Sequence, residues 1–177
     1  MNIKNTKFKG LKIINGKVFF DNRGFFREIF KKNLLKRHKP IFWCLSKSKK
    51  NVLRGIHIQT KNSQEKFVTV LKGKIIDVVV DLRKNSKTFG KHYKIILSSK
   101  KSNSILIPAG FAHGFLALEN ENLVLYSNNN YRSEKNEIGL IWNDKDLNIK
   151  WPKKKLIISK KDKYNLTLKE YIKRFKK

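Results

Sequence analysis

From Ile75 to Leu82 the chain alternates with a period of two. Ile76, Val78, Val80 and Leu82 share one face, and Ile75, Asp77, Val79 and Asp81 share the other. That period predicts a strand. Similar short apolar runs recur at IFWCLS (41–46), VLRGIHIQ (52–59), HYKIILS (92–98), SILIP (104–108), GFLAL (114–118) and LVLYS (123–127). Turn residues separate them, with Glu119 to Asn122 between the last two, so the pattern predicts an all-β sandwich or barrel. Two segments read as hairpins. In KVFFDNRGFFREIF (17–30), apolar runs flank Asp21-Asn22-Arg23-Gly24, which puts Arg23 at the turn and Glu28 on the second strand. In FVTVLKGKIIDVVVDLR (67–83), the turn falls at Lys72-Gly73-Lys74. Residues 31–40 carry a helical turn that stops before Pro40. LIWND (140–144) and IKWP (149–152) are aromatic-bearing pieces of a closing region, and 156–165 reads as irregular. The tail returns to helical spacing. Thr167 and Glu170 form a capping box, and Leu168, Tyr171, Ile172 and Phe175 follow on one face that should pack on the barrel.

A chain of 177 residues is most simply one domain, residues 1–177, large enough to bury a core. Its apolar runs are strand-length, far short of a membrane span. The first residues, MNIKNTKFKG, lack an apolar signal core, and Cys44 is the only cysteine. Together these features lead to the expectation of a cytoplasmic protein with no membrane partner. The net charge of +29 changes the picture only partly. Lysine outnumbers arginine about five to one, as in the codon usage of an AT-rich genome, and the lysines are spread along the chain. Short clusters stand at 47–50 and 153–155, and no aromatic-interleaved basic groove is legible, so no nucleic-acid partner is assigned. A field of this sign would still draw in an anionic small substrate.

His57 lies in a strand-like run, and Pro108, Gly110 and His113 follow as P-x-G-x-x-H. This pairing suggests a cupin-like double-stranded β-helix, a jelly-roll barrel closed by a short C-terminal helix. Metal-binding cupins use H-x-H, a glutamate and a later histidine. Here the first pair is His57-x-Gln59, and Lys66 stands at the glutamate position ahead of Gly73. A protonated lysine has no lone pair to give, so no metal is expected. His57, Lys66, His113 and Tyr126 remain as equipment for moving protons beside a carbonyl: a base near neutrality, an acid, and cationic stabilisers for an enolate. Without metal or cofactor, isomerisation or epimerisation is the natural reaction class. One parity problem stands out. Arg54 and His57 are three apart and fall on opposite faces of a regular strand, unless a bulge at Gly55 restores the parity.

At this point the sequence resembles the dTDP-4-dehydrorhamnose 3,5-epimerases, an RmlC-type family of cupin-like proteins. The resemblance runs through DNRGFFRE, SKSKKNVLRGIHIQ, QEKFVTVLKGKIIDVVVDLRKNSKTFG, IPAGFAHGF, the ExGLIWND element from Glu137 to Asp144, IKWP and LIISKKD. It implies a homodimer that needs no cofactor and inverts C3 and C5 of a nucleotide-linked 4-keto-6-deoxy sugar, on the way to rhamnose for a polysaccharide. It implies His57 as the base, Asp162 as the carboxylate that orients it, Lys66 beside the C4 oxygen and Tyr126 as the acid on the opposite face. Arg23 and Arg54 answer to the diphosphate, while Glu28, Gln59, His113, Glu137 and Lys161 match further substrate contacts. Two departures fall on the nucleotide side. Phe42-Trp43-Cys44 replaces a polar run, and Arg132 stands where the family stacks a tyrosine on thymine. The alternatives are therefore the same chemistry on a GDP-, CDP- or UDP-linked keto-sugar, inversion at C3 or C5 alone, or a non-catalytic binding module.

Overall fold

Strands form where the apolar residues alternate, and most of them find partners far away in sequence. The computed structural model describes residues 1–152 and 155–175, so Lys153 and Lys154 of the 153–155 lysine cluster lie outside the described residues. In chain order the strands are β1 (Asn2–Asn5), β2 (Lys12–Asn15), β3 (Val18–Asp21), β4 (Gly24–Arg27), β5 (Phe42–Ser48), β6 (Val52–Gln59) and β7 (Lys66–Lys72). There follow β8 (Lys74–Asp81), β9 (His92–Ser98), β10 (Asn103–Ile107), β11 (Phe111–Ala117), β12 (Asn122–Asn128), β13 (Glu137–Gly139) and β14 (Ile157–Ile158). One sheet runs β1-β2-β10-β7-β12-β5 and the other β13-β6-β11-β8-β9, with β14 parallel to β6. Between the two sheets lies a core that includes Val68, Val70, Ile75, Val79, Ile105, Phe111, Phe115 and Val124. The all-β, cupin-like expectation holds.

The expected hairpin at Gly73 does not form. β7 lies in one sheet and β8 in the other, so the chain crosses between sheets there. Its cause is local. The single residue between the two strands has φ +88°, a value suited to glycine. The Asn122 Oδ1 accepts from Lys74 N at 3.1 Å, and Gly73 O accepts from Ser99 N at 3.1 Å, so both sides of the bend are tied to other segments. Both faces of β8 carry buried apolar residues because both are covered. Ile75 and Val79 enter the core between the sheets, while Ile76, Val78, Val80 and Leu82 pack with Leu53, Ile56, Leu140 and Tyr171.

The other hairpin forms as expected. Phe19 pairs with Phe26 and Phe20 with Phe25, with Asn22-Arg23 at the tip, and Glu28 falls one residue beyond β4. All four phenylalanines are exposed. Residues 31–40 make isolated turns: Leu34 N and Leu35 N both donate to Lys31 O. The segment 156–165 is more regular than expected, holding β14 and the single helical turn α1 (Lys160–Lys163). The tail helix α2 (Leu168–Phe175) is capped as the sequence predicts: Thr167 N donates to Glu170 Oε2 at 2.7 Å and Glu170 N to Thr167 Oγ1 at 3.2 Å. Leu168 and Tyr171 are buried and Phe175 packs beside them, but Ile172 is 37% exposed, at the edge of the buried stripe. No helix among the described residues is long and apolar enough to cross a membrane.

Candidate active site

The bulge at Gly55 decides the site. His113 pairs with His57 and Phe115 with Arg54, so two residues of β6, Gly55 and Ile56, oppose only Gly114 on β11. The extra residue shifts the parity. Leu53, Ile56 and Ile58 pack outward, while Arg54 and His57 both line a cavity of about 630 Å³ between the sheets. Gly55 has φ +100°, and a Cβ there would lie 2.6 Å from His113 O, so glycine alone fits this close approach.

His57 Nε2 lies 2.6 Å from Asp162 Oδ1. An ionised carboxylate only accepts, so Nε2 carries a proton, and in the neutral form of the ring Nδ1 keeps the free lone pair. Asp162 is held from behind. Its backbone N donates to Ser159 Oγ at 3.1 Å, capping α1, and its Oδ2 accepts from Gly55 N at 3.3 Å. Burial alone would raise the Asp162 carboxyl, but the His57 hydrogen bond and charge, with help from Gly55 and Ser159, hold it below the usual carboxylate range.

Across the cavity, on the other sheet, stand Tyr126 from β12 and Lys66 from β7. Burial pushes the Tyr126 phenol well above its ordinary value, so it stays a proton donor at neutral pH. Its hydroxyl lies 3.1 Å from Ser46 Oγ. Burial lowers the Lys66 ammonium, and the Glu137 charge partly offsets this. His113 stacks edge-on against Tyr126, with centroids 6.2 Å apart, and its Nε2 lies 2.7 Å from the buried Asp77 Oδ2.

The cations and acids of the rim form a network. Arg132 Nε donates to Glu137 Oε2 at 3.2 Å, and Lys161 Nζ to Glu137 Oε1 at 2.7 Å. Burial would raise the Glu137 carboxyl, but these two cations bring it down to about 2. Arg54 donates through Nε to Ser48 Oγ at 2.9 Å. At the same rim Phe42 packs against Tyr131 with centroids 6.0 Å apart, and burial pushes the Cys44 thiol up.

Nine of the twelve residues expected at a site therefore line one cavity: His57, Lys66, Tyr126, Asp162, Arg54, His113, Arg132, Glu137 and Lys161. Gln59 does not. It is buried beside the cavity, where Nε2 donates to Asn62 O and Tyr131 O, and Oε1 accepts from Ser133 N at 2.7 Å, so its amide holds loops. Arg23 and Glu28 sit on or beside the exposed hairpin, paired with Asp21 and Lys31. Gln64, Asn128 and Ser159 line the cavity without having been singled out, and Asp77 supports it from behind. Asp77 did leave a signal: an acid inside IIDVVVD is buried, and a buried charge needs a partner.

Comparison with known proteins accords with this geometry. The model of the dTDP-4-dehydrorhamnose 3,5-epimerase family matches residues 5–170. A dTDP-4-dehydrorhamnose 3,5-epimerase of Escherichia coli is 38% identical over 179 residues, covering 97% of this chain and 97% of its own. That of Methanothermobacter thermautotrophicus is 39% identical over 165 residues, covering 89% of each. Among solved structures, RmlC from Legionella pneumophila, in complex with dTDP-4-keto-L-rhamnose, superposes with a TM-score of 0.90 at 38% identity, covering 95% of this chain and 93% of its own. Since the match from residue 5 to residue 170 takes in every element that lines the cavity, this chain belongs to the dTDP-4-dehydrorhamnose 3,5-epimerase family.

Proposed function

We propose that this chain, acting as one domain in a homodimer, converts dTDP-4-dehydro-6-deoxy-D-glucose to dTDP-4-dehydro-L-rhamnose by inverting C3 and C5. The observation that carries the reading is the placement of base and acid on facing sheets. His57 with Asp162 projects from the β6 side and Tyr126 from the β12 side, with the cavity between them. Inversion needs a proton removed from one face of the sugar and returned to the other.

In this reading the C4 ketone acidifies the C–H bonds at C3 and C5. His57 Nδ1 takes the proton, and the electron pair moves to the C4 oxygen to form an enolate. Lys66 stabilises that oxygen and Asp162 the imidazolium. Tyr126 then protonates the carbon from the opposite face. Arg54 binds diphosphate oxygens through a planar fork. A second copy would complete the site. The exposed Phe19, Phe20, Phe25 and Phe26, together with Trp43 and Leu45 on edge strand β5, support a docking surface between copies. A hairpin docked in this way carries Arg23 and Glu28 towards the partner's cavity. The lone Cys44 is consistent with a reducing, cytoplasmic setting.

Proton NMR in deuterated water tests the proposal. With dTDP-4-keto-6-deoxyglucose the signals at C3 and C5 should both disappear. Exchange seen only with the GDP, CDP or UDP counterpart would keep the mechanism and change the nucleotide, for which Phe42, Cys44 and Arg132 are the responsible residues. Exchange with none of them would overturn the enzymatic reading.

A further inference from the structure

His38 is buried and does not line the cavity, and the mechanism above does not use it. It lies in the segment between the β3–β4 hairpin and β5, which crosses the outer face of the β1-β2-β10-β7-β12-β5 sheet. There Phe30 and Leu35 pack with Phe67, Ile14 and Leu106. The His38 side chain is 0% exposed. Its ring packs against Phe30 at 5.9 Å and Phe67 at 6.4 Å between centroids. Both ring nitrogens are engaged: Nδ1 lies 2.7 Å from Glu65 Oε1, and Nε2 lies 3.0 Å from Ser127 Oγ.

The positions of these partners matter. Glu65 precedes Lys66, and Ser127 follows Tyr126. Side chains alternate across a strand, so Phe67 and Ser127 point outward to His38 while Lys66, Tyr126 and Asn128 point into the cavity. The two strands are also direct neighbours, with Ser127 paired to Phe67 and Asn128 to Lys66. One imidazole therefore bridges, from the back of the sheet, the residues next to the two reactive groups. The Glu65 carboxylate accepts, so Nδ1–H donates to it, and Nε2 meets the Ser127 hydroxyl. Glu65 is fixed further, its backbone N donating to Asn129 Oδ1 at 2.8 Å.

We propose that His38 is a positioning residue: through Glu65 and Ser127 it sets the placement of Lys66 and Tyr126 relative to the sugar. The inference rests on the reading of those two groups as enolate stabiliser and acid. A displacement of a reactive group by about 1 Å can cost ~100-fold in rate, so small changes behind the sheet should be visible in turnover.

The test compares Ser127→Ala, His38→Gln and His38→Phe. Ser127→Ala removes one hydrogen bond and leaves the ring packing intact. His38→Gln keeps a donor and an acceptor, and His38→Phe keeps only the ring. In Ser127→Ala the inversion rate should fall roughly 10-fold, while KM and loss of the C3 and C5 protons to solvent change less than about 3-fold. His38→Phe should lose more, and His38→Gln should recover part of the loss. A change that merely reduced the folded fraction would lower exchange and inversion together. As a readout independent of turnover, the NMR ring signals of Tyr126 should shift or broaden in Ser127→Ala, with those of exposed Tyr164 unchanged. If wild type exchanges no keto-sugar proton, the mechanistic reading has failed, and the Tyr126 signals alone decide whether His38 positions that side chain. Unmoved Tyr126 signals, or equal loss of exchange and inversion in Ser127→Ala, overturn the inference.

Discussion

Replacing Asp162 by asparagine isolates the charge behind His57, the proposed base. The amide is nearly the same size as the carboxylate, and its carbonyl oxygen can still accept from His57 Nε2. The negative charge 2.6 Å from the ring is lost. A neutral imidazole loses little by the exchange. Once His57 has taken a proton it becomes an imidazolium beside the group at position 162. Two unit charges about 4 Å apart interact with about 4 kcal/mol at an effective dielectric of about 20. If about half of the charge has developed in the transition state, about 2 kcal/mol is lost, or roughly 30-fold in kcat. A fall of between ~10-fold and ~1,000-fold, with KM for the nucleotide sugar nearly unchanged, is the expected outcome. Exchange at C3 and C5 should slow in parallel, because one base serves both carbons. The assay is deuterium wash-in followed by proton NMR, with thermal unfolding measured alongside because Asp162 also accepts from Gly55 N. A kcat within threefold of wild type, or slowing at one carbon only, would refute the assignment of His57 and Asp162 as the shared base.

Tyr126→Phe should leave solvent exchange within about tenfold of wild type while inversion drops by ~100-fold or more; unaffected inversion would show that another group is the acid. The Glu137 carboxyl, held at about 2, stabilises the fold fully above its ordinary value of 4.5 and loses that contribution as pH falls towards about 2. The stability gap between wild type and Glu137→Gln should therefore be constant from pH 7 to about 5 and shrink below about 4.5. A gap that does not change with pH would remove Arg132 and Lys161 as its electrostatic partners. Phe20→Glu with Phe25→Glu should give monomers by sedimentation and at least ~10-fold lower turnover, because apolar docking is lost; dimers of wild-type affinity would exclude the hairpin as the contact between copies.

The period-two strands, the capping box at Thr167 and Glu170, and the Asp21–Gly24 turn were legible because each depends on neighbours in the chain. So were most of the polar side chains that line the cavity, through the resemblance of their motifs. The cross-over at Gly73 was not, because Lys-Gly-Lys between two apolar runs looks the same whether the strands pair or part. Contacts with residues distant in sequence, such as Asn122 and Ser99, distinguish the two. The place of Gln59 outside the cavity lining was hidden for a similar reason. Two residues after His57 it falls on the correct side of a strand, yet loop groups at Asn62, Tyr131 and Ser133 occupy its amide. His38 left no periodic signal at all, since its partners, Glu65 just before β7 and Ser127 on β12, lie beyond its own segment.

The change of sheet at Gly73 also bears on how the molecule comes to be folded. Apart from β1–β2, β3–β4 and β8–β9, no strand among the described residues pairs with its immediate successor; β10 must find β2, β11 must find β6, and β12 must find β5. Each of those loops has to close before its ladder returns any free energy, which places the chain among slow-folding β topologies, with times of milliseconds to seconds or longer. His57 and Tyr126 come from opposite sheets, so no fragment shorter than nearly the whole barrel can hold them face to face. Recovery of turnover after dilution from denaturant should then lag behind early collapse and coincide with the last cooperative step. The paired phenylalanines of the β3–β4 hairpin are exposed even in the folded chain; until that step unpaired strand edges stand open as well, and the risk of aggregation during synthesis is greatest.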